Sequence, residues 1–176
     1  MYKINLYCTF HQPQISIDKF TKMFGTISEE AEVKVSASKA WALYGTLELG
    51  KLVAGKILEA VDVVEGDGGP GTILKLTLNP GSGFTCYKEK FTKVDNINMV
   101  KETEAIEGGF LDMGFNLYRV RFEIKENPKD GSGSSCVLKL TIEYDVKEEF
   151  ANNASLVTTA PLLGIMSVAN EHLLKK

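Results

Sequence analysis

The run Val64-Glu-Gly-Asp-Gly-Gly-Pro-Gly-Thr72 decides how the rest of the chain is read. Gly66, Gly68 and Gly71 spell G-x-G-x-x-G, the spacing of a dinucleotide-binding turn. Such a turn works only when a strand enters it and a helix leaves it, so that the helix N-terminus faces the pyrophosphate. Here Thr72-Ile-Leu-Lys-Leu-Thr-Leu78 follows, a β-rich run, and Pro70 among the glycines is turn chemistry. No Gly-Lys-Ser/Thr closes the run, so the lysine and hydroxyl of a phosphate loop are missing too. Gly66, Gly68, Gly69 and Gly71 are therefore expected to form a structural loop between two antiparallel strands.

Outward from that loop, Ile57 to Glu65 reads as the entering strand and Thr72 to Leu78 as the leaving one. Upstream, Thr26 to Val35 alternates polar and apolar residues as a strand does, and Ser36-Ala-Ser38 offers a helix cap. The helix it starts carries Trp41, Leu43 and Tyr44; Gly45, Gly50 and Gly55 break the segment from Thr46 to Lys56 into short helical pieces. Downstream, strands are expected at Cys86 to Val94, Met99 to Ile106, Phe115 to Lys125 and Cys136 to Lys147. The last 25 or so residues carry apolar side chains from Phe150 to Leu174 at the spacing of one long helix, with Pro161 and Gly164 as its points of distortion. The sum is α+β: a strand, a short helical pair, six strands and a long helix, a curved antiparallel sheet closed by one helix with room for a cavity between them.

Composition narrows the function. Hydrophobic residues make up 44% of the 176 and charged residues 24%, the balance of an ordinary globule, and no apolar run approaches the roughly 18 residues of a membrane span. Twenty basic against 23 acidic residues leave a net charge of −3 and no basic stripe for a phosphate backbone, so no nucleic-acid partner is expected. Cys8, Cys86 and Cys136 are odd in number and widely spaced, which argues for a reducing, cytoplasmic setting and against a disulfide frame. With His11 and His172 the only histidines, no metal site is expected. Residues 1–24 lack a continuous apolar core for a signal peptide and read as an extension ahead of a single domain over 25–176. Asn153-Ala-Ser155 matches a glycosylation sequon, read as chance without a secretory route.

Candidate chemistry sits in Tyr87-Lys-Glu-Lys-Phe91. On a strand Tyr87, Glu89 and Phe91 share one face and Lys88 and Lys90 the other, so the lysines read as solvated and the phenol and carboxylate as inward. In the next strand Met99, Lys101 and Thr103 share a face. An odd number of unpaired residues between the strands brings Lys101 to the side of Glu89; a two-residue turn does not, and periodicity leaves both open. A carboxylate and an amine held together in an interior have their pKa values pushed toward neutrality, as acid and base catalysis requires. The competing reading is a pair of charges on an exposed strand face.

Beyond these patterns, EGDGGPGT with this strand order and the long last helix resembles the plant pathogenesis-related class 10 proteins, the Bet v 1 superfamily, over about Gly25 to Lys176. YKEKF at 87–91, VDN at 94–96, VKE at 100–102, IEGGFLDMG at 106–114, SSCVLKLTIEYDVKEEF at 134–150 and VTTAPL at 157–162 are similar to the norcoclaurine synthase branch. That resemblance implies a Bet v 1-like, START-type helix-grip fold, a seven-stranded curved antiparallel sheet wrapped around a long C-terminal helix, with two short helices and an internal apolar cavity. It implies a cofactor-free Pictet-Spengler condensation of dopamine with 4-hydroxyphenylacetaldehyde. Lys101 would shuttle protons as water leaves, Glu89 would remove the proton that restores aromaticity, and Tyr87 would position substrate, with Phe91, Met99 and Val120 against it. The implied role requires Lys101 to face inward, and so an odd-length turn.

Two departures from the branch bear on substrate. Val120 stands where the synthases commonly carry an acid, and the segment from Thr46 to Lys56 is a few residues shorter. Implied partners are a small aromatic amine and aldehyde, or another apolar plant metabolite, with the chain a monomer or weak homodimer. Two further readings of the resemblance are a non-catalytic binder of cytokinins, flavonoids or alkaloids, and an alkaloid isomerase using the same acid and base.

Overall fold

The computed structural model describes residues 23–175. The first 22 residues of the expected extension lie outside them, while Met23 and Phe24 already belong to the first strand. In chain order the elements are β1 (Met23–Val33), α1 (Ala37–Tyr44), α2 (Glu48–Val53), β2 (Leu58–Glu65), β3 (Ile73–Leu78), β4 (Cys86–Asp95), β5 (Val100–Gly108), β6 (Phe115–Glu126), β7 (Cys136–Val146) and α3 (Ala160–Leu174). The strands form one curved antiparallel sheet in the order β1-β7-β6-β5-β4-β3-β2. This is the α+β, seven-stranded arrangement with two short helices that the resemblance implies.

Alternation sets the two faces of the sheet. In β6, Tyr118, Val120, Phe122 and Ile124 are buried and meet Tyr144, Ile142, Leu140 and Leu138 of β7 in register. The intervening arginines lie on the outer face among acids: Arg119 bonds Glu104 and Glu143, each at 3.0 Å, and Arg121 bonds Glu102 at 2.7 Å. One face is thus core and the other a charge ladder.

Local chemistry places the helices. Ser36 accepts from the Lys39 amide and starts α1, and the Trp41 indole donates to Asn96 (3.0 Å), tying that helix to the β4–β5 turn. The glycine-rich loop joins β2 to β3, and its amides turn inward: Gly68 donates to the Thr72 hydroxyl at 2.9 Å and Gly71 to the Phe91 carbonyl at 2.8 Å. The Gly71 amide thus holds β4, and the Gly68 amide closes the loop on itself.

The last segment departs from the expected single helix. Glu148–Leu156 is 3-10 helix, kinked at Phe150, and only Ala160–Leu174 is α-helical. Pro161 lies in the first turn of α3, where a missing N–H leaves no hydrogen bond unmade, so it begins the helix instead of bending it. Phe150 and Leu156, which the periodicity placed on the helix, are exposed. Met166, Ala169 and Leu173 are its buried face.

Candidate active site

Between the sheet and α3 lie two adjoining chambers. The inner, about 70 Å³, is lined by Glu89, Lys101, Thr103, Val120 and Phe122, with Leu49 and Val53 of α2 and Leu162 and Ile165 of α3. The outer, about 390 Å³, is lined by Phe84, Phe110, Met113, Tyr118, Leu156 and Pro161 among others. Tyr87 borders both. The chambers are apolar except for one carboxylate, one amine and a few hydroxyls, the character of a small-molecule site.

Lys101 reaches the inner chamber by a route that the turn length does not reveal. Asp95 pairs with Val100 and Val94 with Lys101, so the turn holds four residues, Asn96 to Met99, an even number. The odd residue lies inside β4: register shifts between Phe91 and Lys93, leaving Thr92 as a bulge, after which Phe91 faces Thr103. A bulge puts two residues against one and reverses the inward-outward parity beyond it. Lys101 therefore shares a side with Phe91 and Glu89, and the odd-length turn expected from the resemblance is replaced by an even turn plus a bulge. Tyr87, two residues from Glu89 on the same strand, faces the same side by alternation, and a second shift, at Ile106, falls on β5.

Two of the six expected site residues are placed differently. Met99 lies in the turn, at φ 52°, and lines neither chamber; its carbonyl accepts from the Ile124 amide at 3.0 Å. The left-handed backbone that closes the turn takes it off the strand it was assigned to. Phe91 is 1% exposed and lies beneath the site rather than in its wall: the Lys101 ammonium sits 4.0 Å from its ring centroid. Val120 does line the inner chamber, directly across from Thr103.

Lys101, 6% exposed, donates to the Thr46 carbonyl at 3.0 Å. Glu89 accepts from the Thr103 hydroxyl at 3.2 Å. Among the described residues the amine and the carboxylate make no direct ion pair; each is held by a different partner with the chamber between. Burial pulls the Lys101 pKa down to about 8, against the charge of Glu89, which pulls it back up. Burial pushes the Glu89 carboxyl up, opposed by Lys101 and by the Thr103 hydroxyl. The Tyr87 phenol is raised well above its usual range, by burial first and then by Glu89 and Tyr118. The site thus holds an acid made weaker and a base made neutral more readily, the pairing that proton transfer near pH 7 needs.

Sequence reasoning missed Thr46, which acts through its backbone carbonyl and so leaves no side-chain signal. It also missed Phe84 and Phe110. Phe84 packs edge-on to Tyr87 and Phe110, and Phe110 stacks on Tyr118 at 4.0 Å. Phe84 closes a glycine-rich turn that reads only as a connection, and its role comes from rings contributed by three other segments.

Val120 offers a direct check on this geometry. Val120→Asp is expected to raise the Lys101 pKa by about 1–3 units, because a carboxylate across one strand favours the ammonium. The measurement is an NMR titration of the lysine ε-carbons. An unmoved Lys101 resonance would show that position 120 does not share its chamber.

A curved sheet gripping a C-terminal helix around an acid-and-amine chamber defines a class of helix-grip cavity proteins. The chain belongs to the pathogenesis-related protein Bet v 1 family, whose profile matches residues 22–176. It is 44% identical over 158 residues to norbelladine synthase of Narcissus pseudonarcissus, covering 88% of this chain and 94% of that protein. It is 39% identical over 155 residues to S-norcoclaurine synthase 2 of Papaver somniferum, covering 85% of this chain but only 65% of that relative's length. Among solved structures, a truncated norcoclaurine synthase from Thalictrum flavum superposes with a TM-score of 0.79 at 36% identity, over 91% of this chain and 99% of that one.

Proposed function

We propose that the protein is a synthase of the norcoclaurine type, which condenses dopamine with 4-hydroxyphenylacetaldehyde in the Pictet-Spengler manner within its two chambers. The observation that carries the reading is the inner chamber itself, where Lys101 and Glu89 face one space from separate anchors. A Thalictrum flavum norcoclaurine synthase has been solved in complex with dopamine and hydroxybenzaldehyde, which supports an aromatic amine and aldehyde as the substrate class.

In this reading the outer chamber takes the aromatic bodies of the substrates, and Tyr87, at the junction, orients them. Lys101 passes protons as water leaves the carbinolamine and the iminium forms. After ring closure Glu89, whose carboxylate is made more basic by burial, removes the ring proton and restores aromaticity. Exclusion of bulk water by the apolar walls strengthens both interactions.

The test is to incubate the purified protein with dopamine and 4-hydroxyphenylacetaldehyde near pH 7 and to resolve the product on a chiral column against a protein-free control. A single-enantiomer excess, reduced about 10²–10⁴-fold in Glu89→Gln, is expected from loss of a general base. Racemic product at the control rate would overturn the reading. It would favour the second one, a carrier of apolar ligands, to which the apolar outer chamber and Val120 are suited.

A further inference from the structure

A buried lysine has a second chemistry besides proton transfer. Its uncharged amine is a nucleophile toward carbonyl carbon, and desolvation in an apolar pocket is what makes that amine available near neutral pH. Lys101 is in this situation. Its nitrogen is fixed at 3.0 Å from the Thr46 carbonyl, to which a neutral amine still donates an N–H while its lone pair remains free for the chamber. The ring of Phe91 supports it from below. The inner chamber, about 70 Å³, is small against the roughly 300–1,000 Å³ of drug-sized sites and has room for a carbonyl group rather than a substituted ring. The ring of an aromatic aldehyde fits the adjoining chamber of about 390 Å³, which leaves the formyl group pointing inward.

We propose that Lys101 captures an aromatic aldehyde covalently, as an imine, and that the substrate amine then displaces it. The proposal rests on the amine-and-aldehyde reading of the site and deepens it. The Lys101 lone pair forms the C–N bond, and the carbonyl π pair moves to oxygen, which takes a proton from the Glu89 carboxyl. Glu89 recovers the proton released by nitrogen and returns it to the carbinolamine hydroxyl, which leaves as water and gives the protonated imine of Lys101. The free amine next adds to the imine carbon and passes a proton to the Lys101 nitrogen, the bond to Lys101 breaks, the iminium of the two substrates is released, and Glu89 is left as the carboxylate. No oxidant or reductant enters. The groups facing Lys101 suit this: among the described residues lining the chamber Glu89 from β4 is the only other charged one, Thr103 and the Thr46 carbonyl are neutral, and β6 and α3 contribute Val120, Phe122, Leu162 and Ile165. With a pKa of about 8, about a tenth of the amine is neutral at pH 7.

The experiment treats the full chain with 4-hydroxybenzaldehyde and sodium cyanoborohydride near pH 7, which reduces any imine to a stable secondary amine, and maps the adduct by peptide mass spectrometry. Modification of Lys101 is expected at least about ten-fold faster than of exposed lysines such as Lys51, from its larger neutral fraction. It is expected to be absent in Lys101→Arg, which keeps the charge without the nucleophile, and to be suppressed by added dopamine. Labelling of Lys101 no faster than of surface lysines would overturn the proposal. Condensation assayed in parallel separates the two readings. Turnover without a Lys101 adduct removes covalent capture and leaves the synthase; an adduct without turnover does the reverse.

Discussion

Lys101→Met is expected to lower condensation by about 10²–10⁴-fold, the usual contribution of a positioned acid-base group, and at the same time to yield a protein more resistant to urea. The stability gain follows from burial. The Lys101 pKa falls from 10.5 to about 8 on folding; at about 1.4 kcal/mol per unit, the buried ammonium costs the native state about 3 kcal/mol. Methionine keeps much of the side-chain volume and carries no charge, and Glu89, deprived of its counter-charge, is pushed further toward its neutral form. The expected net gain is about 1–3 kcal/mol, smaller than the full cost of the ammonium because Glu89 loses its counter-charge and must take up a proton to stay buried. Its pH dependence has a definite sign. The unfolded lysine binds more protons than the folded one between about pH 8 and 10.5, so native stability rises with pH there. The advantage of methionine is therefore full below about pH 8 and gone above about 10.5. Urea unfolding at pH 7 and pH 10.5 measures it, and equal stability of the two proteins at pH 7 would show that Lys101 is not a buried cation.

The second large effect lies in the glycine-rich loop, where two substitutions of the same kind are expected to differ. Gly66 has φ 90°, and a Cβ there would lie 2.7 Å from the Thr72 Cα and 2.5 Å from its hydroxyl oxygen. Neither atom is free to retreat, because that hydroxyl accepts from Gly68 and the Thr72 carbonyl accepts from Phe91. Gly66→Ala therefore combines left-handed strain of about 1–2 kcal/mol with overpacking of about 1–3 kcal/mol. Gly71 has φ 95° but open space around its Cβ position, so Gly71→Ala carries only the strain of about 1–2 kcal/mol. Comparison of urea midpoints tests both. Because Thr72 is bonded to Phe91, and Phe91 supports Lys101, Gly66→Ala is also expected to disturb the Lys101 titration, whereas an equal loss in the two variants would show that the loop is not packed against Thr72.

The G-x-G-x-x-G spacing could be rejected as a nucleotide site from sequence because its context is local: a strand and not a helix follows. The inward direction of Tyr87 and Glu89 was legible for the same reason, since alternation along one strand needs no knowledge of its neighbour. Met99 was misplaced because a residue at the strand boundary fits the alternation equally well in the strand or in the turn. Phe91 was correctly turned inward, but facing the core and lining a cavity are distinguishable only once the neighbouring volume is filled.

The sequence by itself determined the element order, the two faces of each strand and the loop chemistry, because these follow from periodicity of two and from residues with restricted backbones. Tertiary structure decided which charges meet. Lys101 joins Glu89 through a bulge at Thr92, inside β4 and not in the turn that was expected to control it, and its nitrogen is fixed by a backbone carbonyl 55 residues away. Register between strands is the outcome of all cross-strand contacts together, and one unpaired residue reverses it. The division into an inner chamber of about 70 Å³ and an outer one of about 390 Å³ is likewise the volume left after α2, α3 and five aromatic residues have packed. That volume is a difference between large packed regions, and no short stretch of the chain encodes it.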